Sequence, residues 1–173
     1  FPKDLEALLS ISKNNNVKMK TVEAAIIANN NQKKRMVEKL IDLIDGDLKN
    51  KKIAILGLSF KANTDDVRES SSIYMINSII KKGGIVNAYD PIANKEMYKV
   101  IKNIQYCVNL YDAVNEVDAV VVMTEWNEFR SLDLNRIKKK MRGNIFLDTR
   151  NIISMDDLFS VGFVYDNVGR IKK

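Results

Sequence analysis

The spacing of apolar residues changes near residue 48 and divides the chain into two parts. Up to Gly46, apolar residues recur at steps of three and four, which is typical of amphipathic helices. A short helix is predicted over 5–12, and a long helix follows the polar turn at 13–16. Gly46 is the expected stop of the long helix, because glycine readily adopts the left-handed cap conformation.

The middle of the long helix, from Asn29 to Arg35, is polar all round. A solvent-exposed stretch between two packed ends would explain this pattern. A helix that crosses a cleft between domains, with its amides facing a polar ligand, would explain it as well. The residues by themselves favour the first interpretation slightly.

From Lys51 onward, apolar runs of strand length alternate with helical segments. Strands are predicted at 52–57, 85–89, 104–107, 118–123, 145–147 and 163–165, and helices at 73–82, 94–101, 111–116 and 134–141. Continuous β-branched runs separated by helices indicate parallel strands that are covered on both faces. The predicted fold class is therefore α/β: a doubly wound, mostly parallel, Rossmann-like sheet preceded by a long helix. The expected domains are a helical segment, 1–48, and a sheet domain, 49–173, whose ligand lies outside the carboxyl ends of the strands.

Composition excludes several classes of protein. The 173 residues carry 28 Lys and Arg against 22 Asp and Glu, but the basic residues are scattered, so nucleic-acid binding is not expected. No apolar run is long enough to cross a membrane, and no signal peptide is visible. The single cysteine, Cys107, fits a reducing cytoplasm, and its apolar surroundings predict an inert packed thiol. The absence of His excludes His metal sites, and no metal site is predicted.

The candidate ligand-binding loop is the polar stretch between the first strand and the helix that follows it. A dinucleotide fingerprint would need glycines at three places, and only Gly57 fits. The loop is therefore not expected to hold the pyrophosphate of NAD in the usual way. Ser70 or Ser71 is the expected N-cap of the helix.

Two cations, Lys61 and Arg68, lie in this loop. Salt bridges to the neighbouring carboxylates Asp65, Asp66 and Glu69 would explain them, and ligand binding is the alternative. Loops on a rigid scaffold tend to carry function, and this loop lies at the carboxyl edge of the predicted sheet, which favours ligand binding.

Three further residues, Asp90, Trp126 and Arg150, follow the ends of other predicted strands. Arg150 follows the fifth strand, where its planar fork could hold a phosphate or a sugar. Asp90 precedes Pro91 and is expected to be a turn residue. Trp126 is expected to pack in the core or at its rim.

Several motifs together resemble the UDP-glucose/GDP-mannose dehydrogenase family, in the family's order and over nearly the whole chain. They are Phe1-Pro2-Lys3-Asp4, Gly57-Leu58-Ser59-Phe60-Lys61, Thr64-Asp65-Asp66-Val67-Arg68-Glu69-Ser70-Ser71, Tyr89-Asp90-Pro91, Thr124-Glu125-Trp126 and Asp148-Thr149-Arg150. The motif at Thr124, with Glu128-Phe129, is most similar to the UDP-glucose 6-dehydrogenases. In that family the first motif directly follows the catalytic cysteine. With the start at Phe1 rather than Met, the resemblance implies a C-terminal fragment that is itself inactive and lacks the NAD-binding domain.

The resemblance implies a cytoplasmic oxidoreductase of polysaccharide biosynthesis. Such an enzyme oxidises the C6 alcohol of a UDP-sugar with NAD+ in two steps, through a thioester on the cysteine, to a uronic acid. Asp4 matches the aspartate that assists the water in hydrolysis. Phe60, Lys61 and Arg150 match residues at the nucleotide-sugar.

The resemblance also assigns residues to the cofactor and to the dimer. Arg68 matches an arginine that reaches the NAD cofactor, and Phe1, Pro2 and Lys3 lie in the segment that borders it. The long helix resembles the family's interdomain helix, which forms a homodimer and favours the second interpretation of its polar middle. Two alternatives stay open: the same half of a UDP-N-acetylmannosamine or GDP-mannose dehydrogenase, and a non-catalytic nucleotide-sugar-binding module.

Overall fold

The computed structural model describes residues 2–169, and the chain divides into two compact units, with the boundary in the sequence between Arg35 and Met36. The first unit holds α1 (Pro2–Asn14) and the beginning of α2 (Lys20–Leu43). Asp4 lies in the first turn of α1 and Lys13 in its last turn, which matches the charges of the two helix ends. The buried residues of α2 all lie in its second half and belong to the second unit.

The second unit is built on one six-stranded sheet in which every paired strand is parallel. Its strands are β1 (Lys52–Leu56), β2 (Ile85–Tyr89), β3 (Gln105–Tyr106), β4 (Ala119–Val122), β5 (Ile145–Asp148) and β6 (Val164–Asn167). Their order is β3-β2-β1-β4-β5-β6. This order reverses direction between β1 and β4, where doubly wound sheets place their ligands. The predicted fold class is confirmed.

Helices cover the sheet. They are α3 (Ser71–Lys81), α4 (Asn94–Val100), α5 (Leu110–Ala113), α6 (Asn127–Arg130), α7 (Leu134–Lys140) and α8 (Met155–Ser160). The sequence predicted four of them, and α6 and α8 were missed. Both have six residues or fewer, which is too short for a helical period to stand out.

The core consists of two apolar layers, one on each face of the sheet. In β1, Ile53 and Ile55 belong to the layer that includes the second half of α2, α3 and α4. Ala54 and Leu56 belong to the opposite layer, with α5, α7 and α8. Because successive residues of a strand point to opposite faces, a strand that is covered on both sides reads as one continuous apolar run.

Among residues 2–169, no helix combines the length and the apolar character that spanning a bilayer needs. In the same part of the chain, no three Cys, Asp or Glu side chains lie close enough together to hold a metal ion.

Candidate functional site

The turn that follows β1 contains a position that demands glycine. Gly57 has φ +95, and a Cβ atom there would lie 2.5 Å from Thr124 Cβ and 2.7 Å from Thr124 N. Any side chain would therefore collide with the end of β4. This close approach draws the β1 turn and the β4 turn together at the point where the strand order reverses.

The backbone N–H groups of this turn are engaged by the protein itself. Leu58 N and Ser59 N donate to Asp90 Oδ2 at 2.7 and 3.1 Å, and Phe60 N donates to Asp66 O at 2.8 Å. In dinucleotide-binding folds, the amides of the corresponding turn face a pyrophosphate. The turn therefore does not fit the pyrophosphate of NAD, and the carboxylate of Asp90 provides the physical reason for the broken glycine pattern.

The carbonyl groups of the turn are satisfied by hydroxyl side chains. Ser72 Oγ donates to Leu58 O at 3.0 Å, and Thr124 Oγ1 donates to Ser59 O at 2.8 Å. Ser70 Oγ also donates to Ser59 O, at 3.3 Å, and accepts from Ser72 N at the start of α3. The expected N-cap is thus Ser70. With the amides and carbonyls of both Leu58 and Ser59 paired, these hydrogen bonds stabilise the conformation of the turn.

Arg150 joins three of the turns at this edge of the sheet. It follows β5, its Nε donates to Met123 O at 2.8 Å, and its Nη2 donates to Phe60 O at 3.3 Å. Its Nε also lies 3.3 Å from Glu125 Oε2. Among the described residues, Nη1 has no hydrogen-bond partner, and the side chain is one-third exposed. The structure therefore brings Arg150 and Phe60 together and leaves part of the guanidinium open to solvent.

The two cations of the loop have different surroundings. Arg68 donates from Nε to Asp66 Oδ1 at 2.9 Å, and this hydrogen bond and the charge of Asp66 raise the pKa of Arg68. Arg68 is therefore paired as the salt-bridge interpretation expects. Lys61 is exposed and forms no ion pair within residues 2–169, so the salt-bridge interpretation is wrong for Lys61.

The carboxylate of Asp90 forms the hydrogen bonds of the predicted turn and also binds donors from other turns. Asp90 is only 2% exposed, and its Oδ1 accepts from Ile92 N at 2.9 Å and from Ala93 N at 2.8 Å, which is the expected turn contact. Its Oδ2 additionally accepts from Ser59 Oγ and from Trp126 Nε1, at 3.2 and 3.1 Å. Trp126 is buried, as predicted. Sequence reasoning missed the wider role because the donors come from distant turns.

Neither Tyr89 nor Cys107 offers a reactive group near neutral pH. Tyr89 Oη donates to both carboxylate oxygens of Glu128, and burial together with that carboxylate raises the pKa of Tyr89 to about 12. Cys107 is buried, and burial raises the pKa of its thiol. This agrees with the predicted inert thiol.

The remaining predicted site residues belong to the first unit. Asp4 is exposed in the first turn of α1. Phe1 lies outside the described residues. Pro2 and Lys3 belong to the same turn as Asp4, and their side chains lie outside what the structure describes.

Comparison with known proteins assigns this sheet and its turns to a family. Residues 54–155 match the model of the UDP binding domain of the UDP-glucose/GDP-mannose dehydrogenase family. The chain belongs to this family. The matched segment contains the turn after β1, Asp90 and Arg150, so the residues that the fold gathers at the carboxyl edge all lie within the family's UDP binding domain.

Individual relatives extend the similarity to almost the whole chain. A UDP-glucose 6-dehydrogenase of Rickettsia bellii is 42% identical over 171 residues, and one of Rhizobium meliloti is 39% identical over 170 residues. Each alignment covers 98% of this chain and 39% of the relative. The chain thus spans about two fifths of the length of these members of the family.

Solved structures of the family share the fold. A UDP-D-ManNAc dehydrogenase from Pyrococcus horikoshii matches with TM-score 0.80 and 28% identity over 98% of this chain and 37% of its own. A UDP-glucose dehydrogenase from Pyrobaculum islandicum matches with TM-score 0.78 and 27% identity, over 88% of this chain and 34% of its own.

Proposed function

We propose that this chain is the nucleotide-sugar-binding part of an NAD-dependent UDP-glucose 6-dehydrogenase. The observation that carries the proposal is a pair of available cations, Lys61 and Arg150, beside a rigid turn at the carboxyl edge of the sheet. The ligand is proposed to lie in the crevice between the ends of β1 and β4, next to β5. The names of the relatives support UDP-glucose as the substrate.

The three proposed contacts suit the chemistry of a UDP-sugar. Lys61 offers a mobile ammonium for the diphosphate, and the open Nη1 of Arg150 offers a charge-assisted donor. Phe60 is partly exposed beside them and offers an apolar surface. Because the amides and carbonyls of Leu58, Ser59 and Phe60 are already paired, recognition is proposed to fall to these side chains rather than to the backbone.

The NAD cofactor is proposed to bind mainly to the part of the longer protein that lies outside this chain. The turn after β1 does not fit its pyrophosphate, because the Asp90 carboxylate already occupies the amides. Bound NAD+ supplies the acceptor for hydride from C6 of the sugar. Arg68, with 76% of its side chain exposed, and the segment 1–3 remain the proposed contacts of this chain at the border of that site.

The helical segment is proposed to have two roles in the longer protein. Asp4 is proposed to accept a proton from the water that hydrolyses the thioester, since a carboxylate close to the reacting carbonyl can act as a general base. The long helix, within the proposed segment 1–48, is proposed to form a homodimer. A cytoplasmic location is proposed from the family's chemistry, which consumes NAD.

Calorimetric titration of UDP into the chain tests the proposed site. Lys61→Ala removes one cation from the diphosphate, and a charge-assisted contact of about 1.5–3 kcal/mol predicts an affinity loss of roughly tenfold or more. Lys102→Ala is the matched control, because this exposed lysine precedes β3 at the opposite edge of the sheet. Equal affinity of the Lys61 variant and the wild type would remove Lys61 from the site.

A second candidate substrate is a UDP-N-acetyl sugar. The similarity to the UDP-D-ManNAc dehydrogenase covers 98% of this chain, which favours this alternative over GDP-mannose. UDP would bind equally in both cases, so only the sugar distinguishes them. Competition of UDP-glucose, UDP-N-acetylmannosamine and GDP-mannose against UDP, in the longer protein, would decide between them.

A further inference from the structure

One buried carboxylate accepts hydrogen bonds from the turns that follow three neighbouring strands of the sheet, β2, β1 and β4. Asp90 lies at the end of β2, and its two oxygens accept six hydrogen bonds from Leu58 N, Ser59 N, Ser59 Oγ, Ile92 N, Ala93 N and Trp126 Nε1. None of these six donors is a cation. The charge of Asp90 is therefore balanced by dipoles of the surrounding turns, which fixes those turns relative to one another.

The carboxylate of Asp90 lies beside the point where the strand order of the sheet reverses. The turn after β1 and the turn after β4 flank the point where the strand order reverses, and Oδ2 of Asp90 bonds to both of them. In dinucleotide-binding sheets, the amides of the corresponding turn also bind an anion, and that anion is the phosphate of the ligand. Here the anion belongs to the protein.

We infer that Asp90 is a positioning residue of the nucleotide-sugar site. Its carboxylate substitutes for a ligand phosphate at the amides of Leu58 and Ser59, and thereby holds the turn so that Phe60 and Lys61 face the nucleotide. The inference rests on the proposed UDP site. It also explains how a sheet with the strand order of a dinucleotide-binding fold can bind a nucleotide-sugar instead. The amides that would bind the pyrophosphate of a dinucleotide are occupied by the protein's own carboxylate.

The shape of the contact requires a carboxylate rather than a side chain of similar size. Asp90 Oδ2 receives four donors and Oδ1 two, so both ends of the group must accept. An amide at this position would turn an NH2 group toward N–H donors at one end. Removal of the carboxylate leaves the Leu58 and Ser59 amides without an acceptor. The turn then loses the hydrogen bonds that stabilise its conformation.

Chemical rescue tests the inference on the 173-residue chain. Asp90→Ala should weaken UDP binding by about tenfold or more, because the turn no longer presents Lys61. Sodium formate, which supplies a carboxylate that fits the space left by the side chain, should restore the affinity in a saturable way and raise the melting temperature of this variant. Sodium chloride at the same ionic strength should do neither. The affinities are measured well below the melting temperature of the variant, where it is fully folded, so a role in folding alone would not make its UDP affinity respond to formate.

Two further variants keep the test interpretable. Asp118→Ala removes a carboxylate that accepts from Lys52 N at the other end of the strands, so its UDP affinity should stay within about twofold and should not respond to formate. Trp126→Phe keeps an aromatic ring in the core but removes one donor to Asp90, and a smaller affinity loss in the same direction is expected. This variant provides the measurement if Asp90→Ala does not fold.

The outcomes separate the inference from the proposed function. If the wild-type chain does not bind UDP, the proposed function fails, whereas the formate effect on melting still tests the amide contact. If the wild type binds UDP and Asp90→Ala binds it equally well, the inference fails and the proposed site stands. A folded Asp90→Ala that loses UDP binding and ignores formate also overturns the inference.

Discussion

Single residues at the carboxyl edge differ in what they leave available for a ligand. Arg68 is engaged by Asp66, and Asp90 is engaged on both oxygens, whereas Lys61 has no ion-pair partner among the described residues. Residue type alone does not separate these cases, because all of them are charged residues in strand-end loops. Their hydrogen-bond partners separate them.

The proposed role of Asp4 in thioester hydrolysis leads to a specific kinetic prediction. In the proposed longer enzyme, Asp4→Asn keeps the shape of the side chain but removes the proposed proton acceptor. In the proposed reaction hydride transfer precedes hydrolysis, so a stoichiometric burst of NADH should be followed by slow turnover, with a steady-state loss of about 10²–10⁴-fold. Rapid-mixing absorbance and mass spectrometry of the accumulated covalent adduct provide the measurements.

Asp4→Glu is the control for this prediction, because it retains a carboxylate and should keep more of the steady-state rate. Loss of the burst in Asp4→Asn would place Asp4 in an earlier step. Normal turnover would leave Asp4 as an acidic residue that stabilises the first turn of α1 through the helix dipole.

At the scale of elements, Asp118 ties together strand starts at the edge opposite the candidate site. Its Oδ2 accepts from Lys52 N at 2.7 Å, and its Oδ1 accepts from Arg142 Nε at 2.9 Å. Burial by itself would raise the pKa of Asp118, but the hydrogen bonds from Arg142 and from the Lys52 amide lower it overall. Gly143 packs against the backbone of Asp118, where a Cβ atom would collide with the carbonyl.

Asp118→Asn is therefore expected to lower the free energy of unfolding by about 1–2 kcal/mol at pH 7, because the Lys52 amide would donate to a neutral instead of a charged oxygen. The loss of the ion pair with Arg142 adds little, because Arg142 is largely exposed. A lowered folded pKa stabilises the protein above the ordinary Asp pKa of 3.8, and this stabilisation disappears as the pH falls through the folded pKa. The difference between wild type and variant should shrink accordingly in urea unfolding at acid pH.

The matched control is Asp47→Asn, which alters an exposed carboxylate whose Oδ1 accepts from Lys49 N in a surface turn. It should change the free energy of unfolding by less than about 0.5 kcal/mol. A pH-independent difference for Asp118→Asn would show that the charge of the carboxylate contributes nothing.

The first half of α2 carries apolar side chains that its own unit leaves uncovered. No residue of α2 before Met36 is buried, and Ile27 is 59% exposed. If this helix forms the proposed homodimer, Ile27→Asp should shift the chain toward the monomer in sedimentation-velocity runs, because a buried charge without a partner is costly. Val108→Asp, at a residue 90% exposed in the other unit, should leave the distribution unchanged. A wild-type chain that is monomeric at high concentration would refute the proposed dimer for this segment.

At the scale of the whole molecule, the chain is expected to bind UDP-glucose without oxidising it. The family resemblance implies that the catalytic cysteine and the NAD-binding domain lie outside these residues. Cys107 cannot replace that cysteine, because it is buried and its thiol pKa is raised. The absorbance of NADH should stay flat when the chain is mixed with NAD+ and UDP-glucose, while calorimetry of the same preparation detects binding. NADH production by the purified chain would contradict this account.

The sequence alone was sufficient for the fold class, because parallel strands covered on both faces must be apolar on both faces. The predicted bounds of β2, 85–89, agree with Ile85–Tyr89, and the other strands are displaced by one or two residues at their ends. Ser70 was also predictable as an N-cap, since it acts within its own turn. Periodicity and short-range hydrogen bonds depend on residues that are close in the sequence, so both can be predicted from it.

The tertiary structure alone decided the arrangement of the site and the end of the sheet. Trp126 and Asp90 are 36 residues apart, and Arg150 and Phe60 are 90 residues apart. Because the partners are so distant in the sequence, no local pattern predicts their hydrogen bonds. The last strand was predicted over 163–165, but β6 ends at Asn167 and includes the buried Asp166. Lys39, 127 residues before Asp166, donates to its carboxylate at 2.8 Å. A polar residue can enter a buried strand only where the fold supplies its partner, and distant partners meet only in the folded chain.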